Sequence, residues 1–207
     1  MTGATPPRDL VLATRSAGKG TELRALALAA GISAHTLDEV GIRASPEEDR
    51  LEEYDTFEEN ARAKARHFAR LLPGRVVVAD DSGLAVDALG GAPGVHSKRW
   101  SGSAEEGLAL DGANNAALLA ALKNVEDRRA RYVCVVVALG HDREWMTRGE
   151  CGGRILRATC GTAGFGYDPL FWSEELERGF GEVTREEKAS VSHRGRAFQA
   201  LLDTWYR

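Results

Sequence analysis

Residues 76–100, VVVADDSGLAVDALGGAPGVHSKRW, decide how the chain is interpreted. The stretch opens with Val76-Val77-Val78-Ala79, a short apolar run whose three β-branched residues predict a buried strand. The run ends on Asp80 and Asp81, and a glycine-rich loop, Gly90–Gly94, follows after a short apolar piece. Two neighbouring carboxylates at a buried strand end repel each other and are costly to desolvate unless cations or hydrogen-bond donors compensate. Taken alone, the stretch fits a strand and an ordinary Asp-Ser-Gly turn equally well.

Helix and strand patterns alternate on both sides of this stretch. Before it, the periodicity predicts a strand at Asp9–Thr14, a helix at Lys19–Ala30, a strand at Ile32–Leu37 and a helix capped at Thr56 that ends near Leu72. After it, we predict a helix at Ala104–Leu122, a central strand at Arg131–Leu139, two strands within Glu144–Thr159 broken near Gly152-Gly153, and a last helix at His193–Trp205. The predicted class is α/β or α+β with a mixed sheet flanked by helices, in one domain over residues 1–207 with a loose tail at residues 1–8.

Composition and charge restrict the classes of function. The chain has 207 residues, of which 43% are hydrophobic and 28% charged, as expected of a globular domain. A net charge of −4 argues against a binder of nucleic-acid polymers, although a metal ion and a few lysines can still attract a small anionic substrate. The three cysteines contain no CxxC pair, which argues against structural zinc and a disulfide framework. Without a signal-peptide pattern or a long apolar run, we expect a cytoplasmic protein that contacts no membrane.

Two helix starts carry basic residues where acidic ones are preferred. The segment LVLATRSAGK, residues 10–19, resembles a phosphate-binding loop, but Ala13 replaces the first glycine and Gly20 follows the lysine. Lys19 in the first turn of its helix opposes the helix dipole unless an anion bridges the two. His193 and Arg194 repeat this arrangement at the last helix. One such lysine is as often simply solvated, but two basic helix starts together indicate a shared anion such as a polyphosphate.

Acidic residues precede the helix capped at Thr56. Glu47-Glu48-Asp49 and Glu52-Glu53 fit an ordinary solvated loop. If this loop folds against Asp80 and Asp81, however, its carboxylate oxygens could hold Mg²⁺ and leave coordination positions for water and phosphate. Acidic oxygens opposite basic helix starts are the arrangement that nucleotide phosphate chemistry requires.

The segment GFGYDPLF, residues 164–171, combines glycines with aromatic residues. Such a loop lets a planar ring approach the backbone, and Asp168 could accept hydrogen bonds from a base edge or a sugar. A generic turn with core aromatics explains the same residues. The cysteines offer no catalytic nucleophile, because Cys134 falls inside a predicted strand and neither Cys151 nor Cys160 has a histidine close in sequence.

Five segments together resemble one family. They are LVLATRSAGKGTEL, TFEENARAKA, VVADDSGLAVDALGGAPGVHSKRWSG, GFGYDPLF and TREEKASVSHRGRAF. In this order they are similar to the non-canonical purine NTP pyrophosphatases, the inosine/xanthosine triphosphate pyrophosphatase (Ham1-like) family. The resemblance implies Mg²⁺-dependent hydrolysis of ITP, dITP and XTP to the monophosphate and pyrophosphate, which removes deaminated purines from the nucleotide pool. It also implies an elongated α/β fold, a substrate cleft between two lobes, and a homodimer.

The resemblance also implies roles for individual residues. Asp81 would be the proton acceptor and a metal-site carboxylate, supported by Asp80, with Glu52 or Glu53 as the second metal ligand. Substrate contacts would come from Thr14, Arg15, Ser16, Ala17, Gly18, Lys19, Asn60, Lys64, Ser82, Phe165, Gly166, Tyr167, Asp168, Lys188, His193 and Arg194. We expect Lys19, Lys64, Lys188 and Arg194 to neutralise the developing charge, and His193 with backbone groups near Phe165 to read the 6-keto edge of the base. This chain departs from the family at Ser16, where asparagine is usual, and at Ser97–Trp100, where Ser-Ala-Arg-Tyr is usual.

Two other functions fit parts of the pattern. A related nucleotide hydrolase could release orthophosphate or act on modified pyrimidine triphosphates, and its products would identify it. A nucleotide sensor without activity could keep the pocket, but it would be expected to lose the acidic residues, and this chain retains them.

Overall fold

The computed structural model describes residues 7–140 and 142–206, so most of the predicted tail at residues 1–8 lies outside the described residues. The strands are β1 (Asp9–Leu12), β2 (Ser33–Thr36), β3 (Val77–Val86), β4 (Arg129–Gly140), β5 (Arg143–Ile155), β6 (Phe171–Ser173) and β7 (Arg178–Gly179). The helices are α1 (Ala17–Ala29), α2 (Phe57–Leu71), α3 (Gly107–Ala121), α4 (Arg185–Val191) and α5 (His193–Trp205). Over the described part of the chain, no helix has the length and apolarity needed to cross a bilayer.

One mixed sheet of seven strands organises these elements, in the order β2-β1-β3-β4-β5-β6-β7. Strand β1 pairs in parallel with both β2 and β3, whereas β6 pairs antiparallel with β5 and β7. Parallel neighbours need crossover connections, and α1 and α2 lie in the two connections from β1 to β2 and from β2 to β3. The predicted fold class is therefore confirmed.

The described residues form two compact units. The first unit comprises residues 7–81, 134–140, 142–149 and 193–206, and the second comprises residues 82–133 and 150–192. The prediction of a substrate cleft between two lobes remains a prediction.

Alternation along the strands sorts the core of the first unit into two clusters. Side chains of successive strand residues point to opposite faces of a sheet. One cluster joins even-numbered strand residues to α1 and α5, and includes Leu10, Leu12, Val78, Cys134, Val136, Leu23, Phe198 and Trp205. The other joins odd-numbered strand residues to α2, and includes Val11, Val77, Ala79, Val135, Val137, Ala61 and Phe68. The parity of a residue in this part of β3 therefore decides which helices it meets.

The second unit has its own core, built around aromatic side chains. The rings of Tyr132 and Phe171 have centroids 4.7 Å apart, and those of Phe171 and Phe180 are 4.9 Å apart. Leu84 from β3 and Leu118 from α3 belong to the same buried cluster. This core lies under the loop that contains Phe165–Asp168, because Tyr167 and Leu170 are also members of it.

The prediction that the strand stops at Asp80 is wrong. Strand β3 continues through Asp80, Asp81, Ser82 and Gly83 to Val86, and nine of its ten residues are buried. Aspartate is depleted in strands, which made the pair look like the start of a turn. The strand continues because each carboxylate has cationic or hydrogen-bonding partners on its own side of the sheet. The two acids are therefore not a repulsive pair at a strand end.

The predicted break near Gly152-Gly153 is also wrong, because β5 runs without interruption from Arg143 to Ile155. Gly153 pairs with Ser173 of β6. A Cβ at position 153 would lie only 2.1 Å from the Trp172 carbonyl oxygen and 2.7 Å from the Phe171 ring. Glycine at this position permits close packing of the neighbouring strand and does not end the strand.

The glycine-rich segment Gly90–Gly94 folds back onto the end of β3. The Val86 N–H donates to Ala92 O at 3.1 Å, and the Gly91 N–H donates to Val86 O at 3.0 Å. The Ser97 hydroxyl donates to Gly94 O at 2.6 Å and accepts from the Leu84 N–H at 2.8 Å. These bonds fix the loop through its backbone.

Candidate active site

Asp80 and Asp81 lie on opposite faces of β3, as their parity requires. The side chain of Asp80 faces the α1 and α5 side, where it contacts Lys19 and Arg194. The side chain of Asp81 faces the α2 side, where it contacts Asn60 and Lys64. The two acidic residues therefore stand in two different electrostatic environments.

The environment of Asp80 is strongly cationic. Asp80 Oδ2 lies 3.3 Å from Arg194 Nε and 3.5 Å from Lys19 Nζ. Arg194 is almost completely buried and also forms an ion pair with Glu22 of α1. Burial alone would raise the pKa of Asp80, but the charges of Lys19, Arg194 and Lys64 outweigh it and hold that pKa well below the ordinary value of 3.8. Asp80 is therefore ionised at neutral pH and pairs with both basic helix starts.

The environment of Asp81 is more finely balanced. Asn60 Nδ2 donates to Asp81 Oδ2 at 3.1 Å, and Lys64 Nζ lies 3.4 Å from Asp81 Oδ1. Burial raises the pKa of Asp81 above its ordinary value, Lys64 and Lys19 lower it, and the charge of Glu52 raises it again, so the pKa remains raised overall. A carboxylate with a raised pKa has a higher proton affinity, which is the property that a general base requires.

Lys64 joins Asp81 to the acidic segment. Its Nζ lies 2.8 Å from Glu52 Oε1 as well as 3.4 Å from Asp81 Oδ1. Burial would lower the pKa of Lys64, but the charges of Asp81 and Glu52 raise it above its ordinary value, so the ammonium stays charged. Glu52 and Glu53 are both exposed, and among the described contacts of Lys64 it is Glu52 that forms the ion pair. The structure thus brings Glu52, and not Glu53, together with Asp81.

The acidic segment forms a short 3-10 helix, Pro46–Glu52. Arg15, from the turn that precedes α1, holds this helix in place. Arg15 makes a two-pronged contact with Glu48, in which Nε and Nη2 each lie 2.9 Å from a carboxylate oxygen. Arg15 also donates to Asp38 at 2.7 Å and to Ile42 O at 3.1 Å. The hydrogen bonds that Arg15 donates to Glu48 raise the pKa of the guanidinium. This side chain, predicted as a substrate contact, therefore binds the acidic segment.

The rest of the N-terminal turn is organised by hydroxyl groups. The Ser16 N–H donates to Thr14 Oγ1 at 3.2 Å, and Ser16 Oγ accepts from the Lys19 N–H at 3.4 Å. Ser16 is thus the N-cap of α1, which begins at Ala17 and not at Lys19 as predicted. Ala17 and Gly18 occupy the first turn, where helix N–H groups have no partner within the helix.

In the second unit, Asp168 and Lys188 form a buried ion pair. Lys188 Nζ lies 2.6 Å from Asp168 Oδ2, and both side chains are at least nine-tenths buried. The ammonium also lies 4.9 Å from the centre of the Phe165 ring. Asp168 Oδ2 accepts from the Phe165 N–H at 2.9 Å, and the Tyr132 hydroxyl donates to Asp168 Oδ1 at 3.3 Å. The pair therefore places a donor and an acceptor beside one aromatic ring.

The backbone near Phe165 is already committed to protein partners. The Gly166 N–H donates to Asp111 Oδ2 at 2.8 Å, and Gly166 O accepts from Asn115 Nδ2 at 3.0 Å. The Tyr167 hydroxyl donates to Ser97 O at 2.7 Å. Sequence reasoning missed Asp111 and Asn115. Their spacing of four on α3 was the available signal, but nothing local connects them with a loop about fifty residues away.

The remaining predicted residues are placed as follows. Ser82 follows Asp81 on β3 and is partly buried, and His193 is the first residue of α5 and is buried. Cys134 Sγ lies 3.9 Å from Asp80 Oδ2, and burial, followed by the charge of Asp80, raises the pKa of the thiol. A thiol held protonated in this way is a poor nucleophile.

No cluster of three or more histidine, cysteine, aspartate or glutamate side chains suited to a metal ion occurs in residues 7–140 and 142–206. Glu52 and Asp81 share the Lys64 ammonium, so this part of the chain offers two carboxylates to a cation. Carboxylate oxygens are the hard ligands that Mg²⁺ prefers, and Mg²⁺ usually completes its shell with water and phosphate oxygens. The donor set therefore fits a magnesium ion held by two protein carboxylates.

Comparisons with known proteins show which family the chain is similar to. The model of the Ham1 family matches residues 10–204. The dITP/XTP pyrophosphatase of Shigella flexneri is 46% identical over 201 residues, covering 95% of this chain and 97% of that protein. The dITP/XTP pyrophosphatase of Clostridium perfringens is 41% identical over 204 residues, with 95% and 96% covered.

Solved structures give the same result. The Ham1 protein of Staphylococcus aureus matches with a TM-score of 0.78 and 34% identity, covering 94% of this chain and 96% of that one. The nucleoside-triphosphatase / dITP/XTP pyrophosphatase of Mycobacterium abscessus matches with a TM-score of 0.68 and 40% identity, covering 94% and 98%. The chain therefore belongs to the Ham1 family.

Proposed function

We propose that the chain hydrolyses dITP, ITP and XTP to the nucleoside monophosphate and pyrophosphate, with Asp81 as the general base. The predicted class of enzyme, a nucleoside-triphosphate pyrophosphatase acting on non-canonical purines, agrees with relatives that are over 40% identical across nearly the whole chain. The observation that carries the assignment of Asp81 is its position, buried beside Lys64 and Asn60 with a raised pKa. Asp80 cannot serve, because its pKa is held low by two contacting cations.

The proposed reaction uses a water molecule that Asp81 orients and deprotonates. The water oxygen forms a bond to the α-phosphorus, while the bond from that phosphorus to the oxygen bridging to the β-phosphate breaks. The proton passes to Asp81, and pyrophosphate leaves with the bonding electron pair. Asn60, which donates to Asp81 Oδ2, fixes the orientation of the carboxylate and leaves its other oxygen beside Lys64.

Glu52 and Asp81 are the residues that would hold Mg²⁺. When bound, the ion supplies positive charge that offsets the negative charge of the phosphates and the pyrophosphate leaving group. We assign Glu52 because it contacts the same ammonium as Asp81. Lys64 already compensates the charge of both carboxylates, so the two groups lie around one cationic group.

The basic helix starts supply the phosphate contacts in this proposal. Lys19 and Arg194 are fixed by one carboxylate, Asp80, so their positions are set before substrate arrives. The first turn of α1, with Ser16 as its cap, offers backbone N–H groups to phosphate oxygens. Ser16 performs the capping role that asparagine also performs at a helix start, so this departure from the family pattern preserves the turn.

Base selectivity is assigned to the Lys188–Asp168 pair beside Phe165. The 6-keto oxygen and N1–H of hypoxanthine present an acceptor next to a donor, which complements the ammonium of Lys188 and the carboxylate of Asp168. Adenine presents the opposite order at these two positions, so it leaves both buried groups mismatched. The N–H groups of Phe165 and Gly166 already donate to Asp168 and Asp111, which makes them weaker candidates for reading the base. His193 remains a second candidate.

Product analysis tests the proposal. The protein is incubated with Mg²⁺ and ITP, dITP, XTP, GTP or ATP, and the products are separated. Pyrophosphate with IMP from ITP, together with much slower turnover of ATP, is the expected result. Orthophosphate with IDP would identify the alternative hydrolase, and binding without turnover would identify the sensor. A homodimer and a cytoplasmic location remain part of the proposal, and light scattering of the purified protein tests the first.

A further inference from the structure

Two side chains of α3 hydrogen-bond to the backbone of a single residue in the loop that contains Phe165. Asp111 Oδ2 accepts from the Gly166 N–H at 2.8 Å, and Asn115 Nδ2 donates to Gly166 O at 3.0 Å. Residues four apart lie on the same face of a helix, so one stripe of α3 holds both polar backbone groups of Gly166. Neither Asp111 nor Asn115 belongs to the set of residues assigned above to substrate, metal or proton transfer.

The backbone conformation of Gly166 explains why these two hydrogen bonds matter. Its φ is +61°, and Gly164, two residues earlier, has a φ of +78°. Glycines give a loop more conformations to lose than any other residue. Without external hydrogen bonds the segment around Phe165 would therefore sample many arrangements. With them, the ring of Phe165 keeps its place 4.9 Å from Lys188 Nζ.

The burial of Asn115 strengthens this interpretation. Asn115 is buried, with 7% of the residue exposed, and within the described residues its Oδ1 has no hydrogen-bond partner. Burying an amide that is only half satisfied costs about 1–3 kcal/mol. The donation to Gly166 is thus the interaction that this buried amide provides to the fold.

We propose that Asp111 and Asn115 are positioning residues for nucleobase recognition, acting through Gly166 on Phe165 and the Lys188–Asp168 pair. This inference rests on the proposed function, since it concerns how that site holds its base. The two residues contact no reacting atom in the proposal. Loss of either residue should raise KM, because a displaced Phe165 ring weakens base binding in the ground state and the transition state alike.

The adjacent residue Asn114 provides a matched control. It is also buried on α3, where it accepts from the Ser101 N–H at 2.9 Å and donates to Lys98 O at 3.0 Å. Asn115→Leu and Asn114→Leu therefore remove hydrogen bonds from the same helix with nearly the same change in shape. Asp111→Asn keeps an acceptor for the Gly166 N–H, and Asp111→Ala removes it at a partly exposed position.

The variants are compared by steady-state kinetics with Mg²⁺ and dITP and by amide hydrogen exchange over residues 162–170 without substrate. We expect Asn115→Leu and Asp111→Ala to raise KM about tenfold, with kcat changed less than about twofold, and to accelerate exchange in that segment. Asn114→Leu and Asp111→Asn should keep KM within about twofold of the parent protein. If Asn115→Leu does not fold, the KM and the exchange rates of Asp111→Ala test the inference instead.

Equal effects of Asn115→Leu and Asn114→Leu on KM would overturn the inference, and so would unchanged exchange over residues 162–170. Faster exchange with unchanged KM would also overturn it, because the hydrogen bonds to Gly166 would then have no effect on substrate binding. Failure of the proposed function is a separate result, since the parent protein would then release no pyrophosphate from dITP. The exchange measurement needs no substrate, so it reports on the hydrogen bonds to Gly166 whether or not the parent protein hydrolyses dITP.

Discussion

Asp80 and Asp81, adjacent on β3, place their carboxylates on opposite faces of the sheet and thereby acquire opposite pKa shifts. Asp80 meets Lys19 and Arg194, and its pKa is lowered despite burial. Asp81 meets one lysine and one amide, and its pKa is raised by burial. Two carboxylates with different environments can take different roles, and here one holds cations while the other is suited to accept a proton.

The first prediction concerns Asp80 and acid stability. A carboxylate whose folded-state pKa is lowered adds stability above its unfolded-state pKa, near 3.8, and this stability is lost as the pH falls through the folded-state pKa. Asp80→Asn leaves the buried charge of Arg194 without this partner, so we expect a loss of about 3–5 kcal/mol at pH 7. Urea unfolding at pH 7 and at pH 3 measures the difference. A penalty that stays constant between these pH values would contradict the assignment.

The second prediction separates Glu52 from Glu53. We expect Glu52→Gln to raise the Mg²⁺ concentration for half-maximal turnover by at least about tenfold, because it removes one of two carboxylate ligands. Glu53→Gln, next to it in the chain, should shift that concentration less than about twofold. Magnesium titrations of both variants, followed by calorimetric binding as well as by activity, provide the measurement. The reverse order of effects would move the metal site to Glu53.

The third prediction concerns Arg15, which holds the 3-10 helix that ends at Glu52. Arg15→Gln should loosen residues 46–52 and weaken magnesium binding about threefold to tenfold, since Glu52 is then less well positioned. Glu48→Gln should act through the same contact. In a double-mutant cycle, the two changes together should therefore cost much less than the sum of the single effects. Additive effects would show that Arg15 acts elsewhere, for example on substrate directly.

The fourth prediction concerns base selectivity. Lys188→Met keeps an unbranched side chain, one heavy atom shorter, and removes the ammonium that lies 2.6 Å from Asp168. We expect kcat/KM for ITP to fall by about 10²-fold and that for ATP to change far less, because the donor to the 6-keto group is lost. An equal loss for both nucleotides would mean that Lys188 contacts a feature common to all triphosphates. His193→Asn provides the comparison with the second candidate.

Local patterns were enough to predict much of the fold. The helix at His193–Trp205 has the predicted bounds, and the uniformly apolar run around Val135 is indeed a fully buried strand. Most end points of the other elements moved by only a few residues. These signals depend on periodicity and capping, which act within one or two turns of chain.

The two errors in the strands have a common cause. Asp80-Asp81 and Gly152-Gly153 are residues that usually interrupt strands, and in both places a tertiary contact overrides the local preference. For β3 the parity of the residues contained more information than their type. Asp80 has the same parity as Val78, which predicts the face that holds α1 and α5. The partners on that face, such as Arg194, lie 114 positions away and cannot be read from local pattern.

The candidate site was predicted as a set of residues, but its arrangement was not. Charge type alone grouped Lys19, Arg194 and the acidic residues, and the structure then paired Lys19 and Arg194 with Asp80, and Lys64 with Glu52 and Asp81. The sequence could not reveal that Arg15 binds the acidic segment, since its partner Glu48 lies 33 positions away.

Turnover of ITP with Mg²⁺ by Asp81→Asn tests whether Asp81 is the general base. Asparagine keeps the shape of the side chain and can still accept a hydrogen bond, but it cannot take a proton from water. At saturating Mg²⁺ we expect kcat to fall by about 10²–10⁴-fold while the protein still folds. In the parent protein, kcat should rise as the pH increases through the raised pKa of Asp81 and then level off. An Asp81→Asn protein that still releases pyrophosphate and IMP at close to the parental rate would contradict the role of Asp81 as general base.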